Sequence, residues 1–271
     1  MKLRRTAFVI GLGIALSGCA GDQLTDTVRT APGGTMGSLK RLGQATMESG
    51  DYASAAGFYR RAHQENEHDF EAVFGLGTAL SRIGANDEAA QMFRKALVLQ
   101  PGDPDTRREL GNVLIAMGQP SLAIAEFEAA FEKNQDPRCL NGIGVALDSL
   151  GEQGAAQSQY RAGLKIDPAN VSLRNNLALS LAVSGKYAEA LRLLEPIGRA
   201  RNATPRQRQN LALVYGLAGD RNKAGEIARL DLDETAVRRN LVFYETLRAM
   251  GDPRKVAEAV GLRARAAAGG L

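Results

Sequence analysis

Three short segments combine two glycines with an apolar run, an arrangement that can hold a phosphate group. They are GLGIAL at 11–16, GLGTAL at 75–80 and GIGVAL at 142–147. A nucleotide-binding loop of this kind follows a β-strand and opens a helix, so that backbone amides face the phosphate. No strand is predicted before the second or the third segment. We therefore interpret their glycines as helix-packing residues.

Two other groups of residues could do chemistry. The chain's two histidines, His63 and His68, have no cysteine and no clear third ligand beside them, so no metal site is predicted. Arg199, Arg201, Arg206 and Arg208 form a dense basic cluster. This cluster could meet an acidic partner or phospholipid headgroups, or it could be a solvated loop between repeats. Without interleaved aromatic residues it does not favour nucleic acid.

The charge of the chain is concentrated at its start. Its formal net charge is +4, and Lys2, Arg4 and Arg5 supply three of the positive charges. Beyond them, 31 basic residues face 30 acidic ones, so the rest of the chain is nearly neutral. Abundant alanine and leucine, with few β-branched residues and no tryptophan, favour helix over sheet.

The first residues have the organisation of an export signal. MKLRR is basic, Ala7 to Leu16 is apolar, and Leu16-Ser17-Gly18-Cys19 follows directly. The apolar run is too short to span a bilayer. The four residues resemble the lipobox of bacterial lipoproteins; an ordinary signal peptide with an incidental cysteine is the alternative.

The lipoprotein resemblance implies cleavage after residue 18 and a lipid anchor on Cys19. Its sulfur would carry diacylglycerol and its new amino group an acyl chain such as palmitate, with no other cofactor. Ala20 rather than aspartate after the cysteine implies sorting to the outer membrane, facing the periplasm. Residues 19–35 lack apolar periodicity and contain Pro-Gly-Gly, which predicts a flexible tether.

Residues 36–235 repeat with a period of 34 residues, shortened once to 33. Repeats begin at 36, 70, 104, 137, 171 and 205, and three positions identify them. Position 15 is glycine and position 20 is alanine throughout, while position 8 is always small: Gly43, Gly77, Gly111, Gly144, Ala178 and Ala212. Position 24 is aromatic in the first four repeats, as Tyr59, Phe93, Phe127 and Tyr160.

This pattern resembles the tetratricopeptide repeat (TPR), a pair of antiparallel helices. The resemblance implies an all-α fold, a right-handed superhelical solenoid of about six helix pairs. Residues 236–271 are predicted to form a degenerate repeat with capping helices. In such arrays the first helices line the concave side, where positions 5 and 9 often face a partner. The resemblance thus gives a set of candidate partner-binding residues, namely Phe74, Arg108, Asn112, Asn141, Asn175 and Gln209. They could equally be solvated residues of the concave side.

The C-terminal region carries a second resemblance. Asp231-Leu232, Val237, Asn240 to Tyr244 and Leu247-Arg248 are similar to the closing motif of TadD, the TPR lipoprotein family of tight-adherence (Flp-type) pilus loci. That family implies a role in pilus assembly, with the secretin or other pilus components as partners and pilotin-like help to the secretin.

Two rival functions remain open at this stage. One is an adaptor that docks peptidoglycan hydrolases or other envelope enzymes, and the other is lipid or anion binding through the arginine cluster. No catalytic constellation, small-molecule substrate or nucleic-acid partner is predicted, and the chain is expected not to be an enzyme.

Overall fold

The computed structural model describes residues 34–259 and residue 261, and every secondary-structure element in this part of the chain is a helix. The predicted leader at 1–18, Cys19 and residues 20–33 of the predicted tether lie outside the described residues. Fourteen helices follow one another in this part of the chain: α1 (Gly34–Glu48), α2 (Tyr52–Glu65), α3 (Phe70–Arg82), α4 (Asn86–Leu99), α5 (Pro104–Ala116), α6 (Pro120–Asn134), α7 (Pro137–Leu150), α8 (Gln153–Ile166), α9 (Val171–Val183), α10 (Tyr187–Gly198), α11 (Pro205–Ala218), α12 (Arg221–Ala228), α13 (Glu234–Met250) and α14 (Pro253–Ala259).

The helices pack as six successive pairs, α1–α2 to α11–α12, in which each helix contacts the one before and the one after it. This arrangement confirms the predicted all-α superhelical solenoid. Helix α1 begins at Gly34, two residues inside the predicted tether. Of the segment predicted to cap the array, 236–271, residues 236–259 form most of α13 and all of α14, while residue 260 and residues 262–271 lie outside the described residues.

The position-15 glycines end the first helix of each pair. Their φ angles lie between +71° and +90°, in the left-handed region that other residues adopt at a cost. At Gly151, the backbone N–H caps the carbonyl groups of Leu147 and Asp148. The sharp turn between the two helices of a unit therefore depends on glycine.

The single 33-residue repeat is shortened between its second helix and the next unit. Helix α6 ends at Asn134 and α7 begins at Pro137, so only Gln135 and Asp136 connect them. Gln135 has a φ of +54° and is the one non-glycine residue with positive φ among the described residues. A left-handed residue thus absorbs the deletion, and the register of the following repeats is kept.

The position-24 aromatics fill the space within and between units. A Cβ added to Gly111 would lie 2.8 Å from the Phe127 ring, and one added to Gly142 of the next unit would strike the same ring. Phe127 is fully buried. A Cβ added to Gly77 or to Gly144 would strike the Phe93 or the Tyr160 ring in the same way. The interpretation of these two glycines as helix-packing residues is thereby confirmed.

No helix in the described part of the chain is both long and apolar enough to cross a bilayer.

Candidate functional site

Four asparagine side chains form a continuous series of hydrogen bonds across three units. Asn210 Nδ2 donates to Asn175 Oδ1 over 2.8 Å, and Asn175 Nδ2 donates to Asn176 Oδ1 over 3.2 Å. Asn176 Nδ2 then donates to Asn141 Oδ1 over 3.0 Å. We call Asn141, Asn176, Asn175 and Asn210 the asparagine chain. It links the first helices α7, α9 and α11 along the concave side.

Two of these four residues were predicted and two were missed. Asn141 and Asn175 occupy position 5, one of the two positions predicted to face a partner. Asn176 and Asn210 occupy position 6, for which no partner contact was predicted. The available signal was the recurrence of asparagine 34 residues apart at that position. The hydrogen bonds between units join a position-5 asparagine to a position-6 asparagine, so the asparagine chain needs both positions.

Two clefts adjoin the asparagine chain. The first, of about 240 Å³, is lined by Arg108, Asn112, Arg138, Asn141, Asn170 and Ser172. The second, of about 220 Å³, is lined by Val171, Ser172, Asn175, Asn176, Thr204, Arg206, Gln207 and Asn210. Ser172 borders both clefts, so they are neighbours, and we call them together the polar groove. Their lining consists mainly of amide and hydroxyl groups, which can both donate and accept hydrogen bonds.

Arg108 reaches the polar groove with its charge already compensated. Its guanidinium lies 2.9 Å from Asp105 and 2.6 Å from Glu109, and its Nε is 4.0 Å from Asp136. Burial lowers the pKa of Arg108, but these carboxylates outweigh it and the net shift is upward. Arg108 therefore orders the wall of the groove rather than offering a free cation.

The other predicted residues divide between the groove and its surroundings. Asn112 and Asn141 line the first cleft and Asn175 lines the second. Phe74 belongs to an aromatic cluster, with ring centroids 5.9 Å from both Phe70 and Phe93. Gln209 donates to Asp231 at 3.5 Å. Neither Phe74 nor Gln209 lines these two clefts.

The arginine cluster is dispersed by intramolecular pairing. Arg208 pairs with Asp231 through two hydrogen bonds, and the one from Nε measures 2.8 Å. This pairing lowers the pKa of Asp231. Arg199 lies 3.2 Å from Glu226. Only Arg206 of the four lines the polar groove, so the cluster does not form one anion-binding surface.

A buried acid, Asp148, lies on α7 about two turns beyond Asn141 and was not predicted. Asp148 accepts hydrogen bonds from Tyr160 Oη at 2.9 Å and from Ser180 Oγ at 2.7 Å. Burial raises the pKa of Asp148 to about 7, although both hydrogen bonds favour the ionised form. This network joins α7, α8 and α9, and so fixes the fourth unit against the fifth.

The histidines do not come together with other ligands. His63 Nε2 lies 3.1 Å from Lys95 Nζ, and burial together with this cation lowers the pKa of His63. Across residues 34–259, no three His, Cys, Asp or Glu side chains converge as a metal site would require.

Comparison with known families identifies one repeat type. Models of the tetratricopeptide repeat match residues 40–104, 84–142, 137–170 and 171–196. Together they cover more than half of the chain. The matched residues include α2 to α9 and most of α1 and α10.

Individual relatives agree with this assignment. The protein y4yS of Sinorhizobium fredii is 35% identical over 106 residues, which make up 39% of this chain and 58% of y4yS. The chain thus spans little more than half of that relative's length. Two solved structures share the fold at low identity. Pseudomonas aeruginosa PilF has a TM-score of 0.62 at 15% identity, covering 76% of this chain and 96% of PilF. The type IV pilus biogenesis factor PilW has a TM-score of 0.64 at 18% identity, covering 71% of this chain and 90% of PilW.

Proposed function

Because this chain is a tetratricopeptide repeat protein, we propose that it is an envelope scaffold whose polar groove binds an extended segment of a pilus-assembly protein. The asparagine chain carries this proposal. Peptide backbone presents alternating donors and acceptors, and a row of amide side chains can pair with both without reading side-chain identity. Residues bordering the groove would then supply selectivity.

The burial and the hydrogen bonds of the asparagines suit a rigid binding surface. Asn210 is 2% exposed and Asn141 is 6% exposed, and each is held by an amide of the neighbouring unit. A surface fixed in this way loses little side-chain entropy when a partner binds. Asn141 Nδ2 has no acceptor among the described residues, so it is available to a partner carbonyl in the first cleft.

The location belongs to the same proposal. The lipobox-like Leu16-Ser17-Gly18-Cys19 supports a lipid anchor at Cys19, and two or more acyl chains give stable attachment where one is marginal. We propose that the anchor holds the protein at the periplasmic face of the outer membrane. Attachment would raise the effective concentration of the scaffold near other envelope proteins.

The pilus role rests on the closing motif at 231–248, which is similar to that of TadD. The likeness to PilF and PilW shows a shared fold only, yet PilW is a type IV pilus biogenesis factor, which agrees with the proposal. We propose a role in assembling a tight-adherence pilus machine, with the secretin as partner and pilotin-like help to that secretin.

Site-specific photocrosslinking tests the proposal. A photoreactive residue at Ser172, where the two clefts meet, is compared in intact cells with one at Ser158. Ser158 is also an exposed serine but lies on the second helix α8. We expect an adduct with the secretin or another pilus component from position 172 and none from position 158.

Other outcomes would change the conclusion. An adduct with a peptidoglycan hydrolase would favour the adaptor function. Equal adducts from both positions, or no adduct from position 172 in pilus-forming cells, would contradict binding in the polar groove.

A further inference from the structure

Equivalent concave positions become buried toward the C-terminal end of the array. At position 9, Gln44 of the first unit is exposed, whereas Leu179 and Leu213 of the last two units are 4% and 7% exposed. At position 13, Glu48 is exposed but Val183 is 6% exposed. The residues change from polar to apolar as their exposure falls, so something covers the concave side there.

The cover is formed by the chain's own last two helices. Helix α13 packs mainly on α11, with the Tyr244 ring 2.5 Å from the place of a Cβ on Gly216. Helix α14 then contacts α9, which lies two units back. Its Arg254 side chain approaches to 4.0 Å from the place of a Cβ on Gly151, at the end of α7. A regular seventh repeat would contact only its neighbour, so α14 folds back toward the fifth unit.

Helix α14 lies near the C-terminal ends of α7 and α9. It contacts α9, and its Arg254 side chain comes near Gly151, which ends α7. Val256 and Ala257 of α14 belong to the same apolar cluster as Leu179 and Val183. We call Leu179 and Val183 the apolar strip. It lies along the same helix as Asn175 and Asn176, one to two turns farther on.

The attachment of α14 is slight compared with that of α13. Helix α14 has seven residues and buries only Val256 and Ala257, whereas α13 has seventeen and buries four side chains. Arg254, Lys255 and Glu258 are exposed and form no ion pair within the described residues. A helix this short is unstable alone in water. Its structure therefore depends on packing against the rest of the fold, and Gly251, with a φ of +63°, joins it to α13.

We propose that α14 is a displaceable cover that holds the place of a partner helix on the apolar strip. The chemistry of the partner follows from that of α14, which now occupies the place. We expect the partner helix to be short and amphipathic, with small apolar side chains on one face and charged side chains on the other. This proposal rests on the proposed function, because the displacing helix would lie beside the extended segment bound in the polar groove, in the same partner chain. The free protein would shield its apolar strip until that segment arrives.

The accessibility of a buried cysteine tests the cover without any partner. The purified chain carries Cys19→Ser and Cys139→Ala. It also carries either Val183→Cys on α9, where the proposal places α14, or Val113→Cys on α5 as a buried reference; Val183 is 6% exposed. Val113 is 1% exposed. We expect the thiol at 183 to react with an aromatic disulfide reagent about 100-fold faster than the thiol at 113, since local opening is easier than global unfolding.

Two further variants assign that opening to α14. Ala257→Glu places a charge in the contact and is expected to speed labelling at 183 about 10-fold, with no change at 113, because local opening is separate from global unfolding. Lys255→Glu changes the charge on the exposed face and is expected to change neither rate. Equal slow labelling at 183 and 113, or no effect of Ala257→Glu, would overturn the proposal.

The competition with a partner is tested on the Ser172 crosslink. Ala257→Glu is expected to increase the adduct yield, because α14 no longer occupies the apolar strip. If the wild-type chain forms the adduct and Ala257→Glu gives the same yield, the competition is overturned and the proposed function stands. If the wild-type chain forms no adduct but the cysteines at 183 and 113 react at the expected rates, the proposed function is overturned and α14 is still a displaceable cover.

Discussion

Asn210 donates a hydrogen bond to Asn175 over 2.8 Å, and the two residues are separated by one repeat plus one position. Asn210 is almost completely buried. Burying an amide is unfavourable unless its hydrogen bonds are satisfied. The pair therefore fixes the sixth unit against the fifth in one register, as well as forming part of the groove surface.

A double-mutant cycle should detect this coupling. Asn175→Ala and Asn210→Ala are each expected to destabilise the fold, with a coupling energy of about 1 kcal/mol between them. Chemical denaturation of both single variants and the double variant gives the value. A cycle of Asn175→Ala with Asn112→Ala, which pairs with Glu109 instead, should give none. Equal values from the two cycles would contradict the asparagine chain.

Two glycine substitutions should have opposite effects on stability. Gly111→Ala places a Cβ 2.8 Å from the fully buried Phe127 ring and is expected to cost about 1–3 kcal/mol by overpacking. Gly57→Ala in helix α2 meets nothing within 4 Å, and is expected to gain about 0.5–1 kcal/mol through helix propensity. Thermal unfolding measures both. A Gly111→Ala variant as stable as Gly57→Ala would contradict close packing at position 8.

The stability of the fold should depend on pH through Asp148. Its pKa is raised from 3.8 to about 7 in the folded chain, so between these pH values the folded form keeps a proton that the unfolded form has released. This group's contribution to the free energy of unfolding therefore falls as pH rises through that window, and stays low above it.

Asp148→Asn should remove this dependence. The neutral amide can still bond Ser180 and Tyr160, so at pH 8 the variant is expected to gain about 1–2 kcal/mol, or about 2–8 °C in melting temperature. At pH 4 the two proteins should be nearly equal. Melting curves across this range provide the measurement, and parallel curves for both proteins would show that Asp148 is not the titrating group.

Removal of the predicted anchor should release the chain from membranes. Cys19→Ala is expected to abolish incorporation of labelled palmitate in cells and to move the protein from the membrane to the soluble fraction. Cys139→Ala is the matched control, because Cys139 is buried and burial raises the pKa of its thiol to about 11. Membrane attachment of the Cys19→Ala variant would refute the lipoprotein prediction.

The repeat signal predicted the solenoid because each repeat position has a local physical role. Glycine at position 15 is required by a positive φ, and glycine at position 8 is required by the facing ring. The partners of the groove residues were less predictable. Arg108 was recognised, but its pairing with Asp105 and Glu109 depends on side-chain geometry. The hydrogen bonds of Asp148 depend on side chains of its own unit and of the next one, and the return of α14 depends on contacts with a unit two back. A 34-residue period does not encode either of them.

The hydrogen bonds of the asparagine chain all run in one direction. Each side-chain Nδ2 donates to the Oδ1 of the next asparagine, from Asn210 in the sixth unit to Asn141 in the fourth. The groove therefore has a polarity, as a single strand of backbone does. A peptide bound in one direction and the same peptide bound in the reverse direction would place different backbone groups next to Asn141. Recognition can thus depend on which way the partner chain runs, even where its side chains are not read.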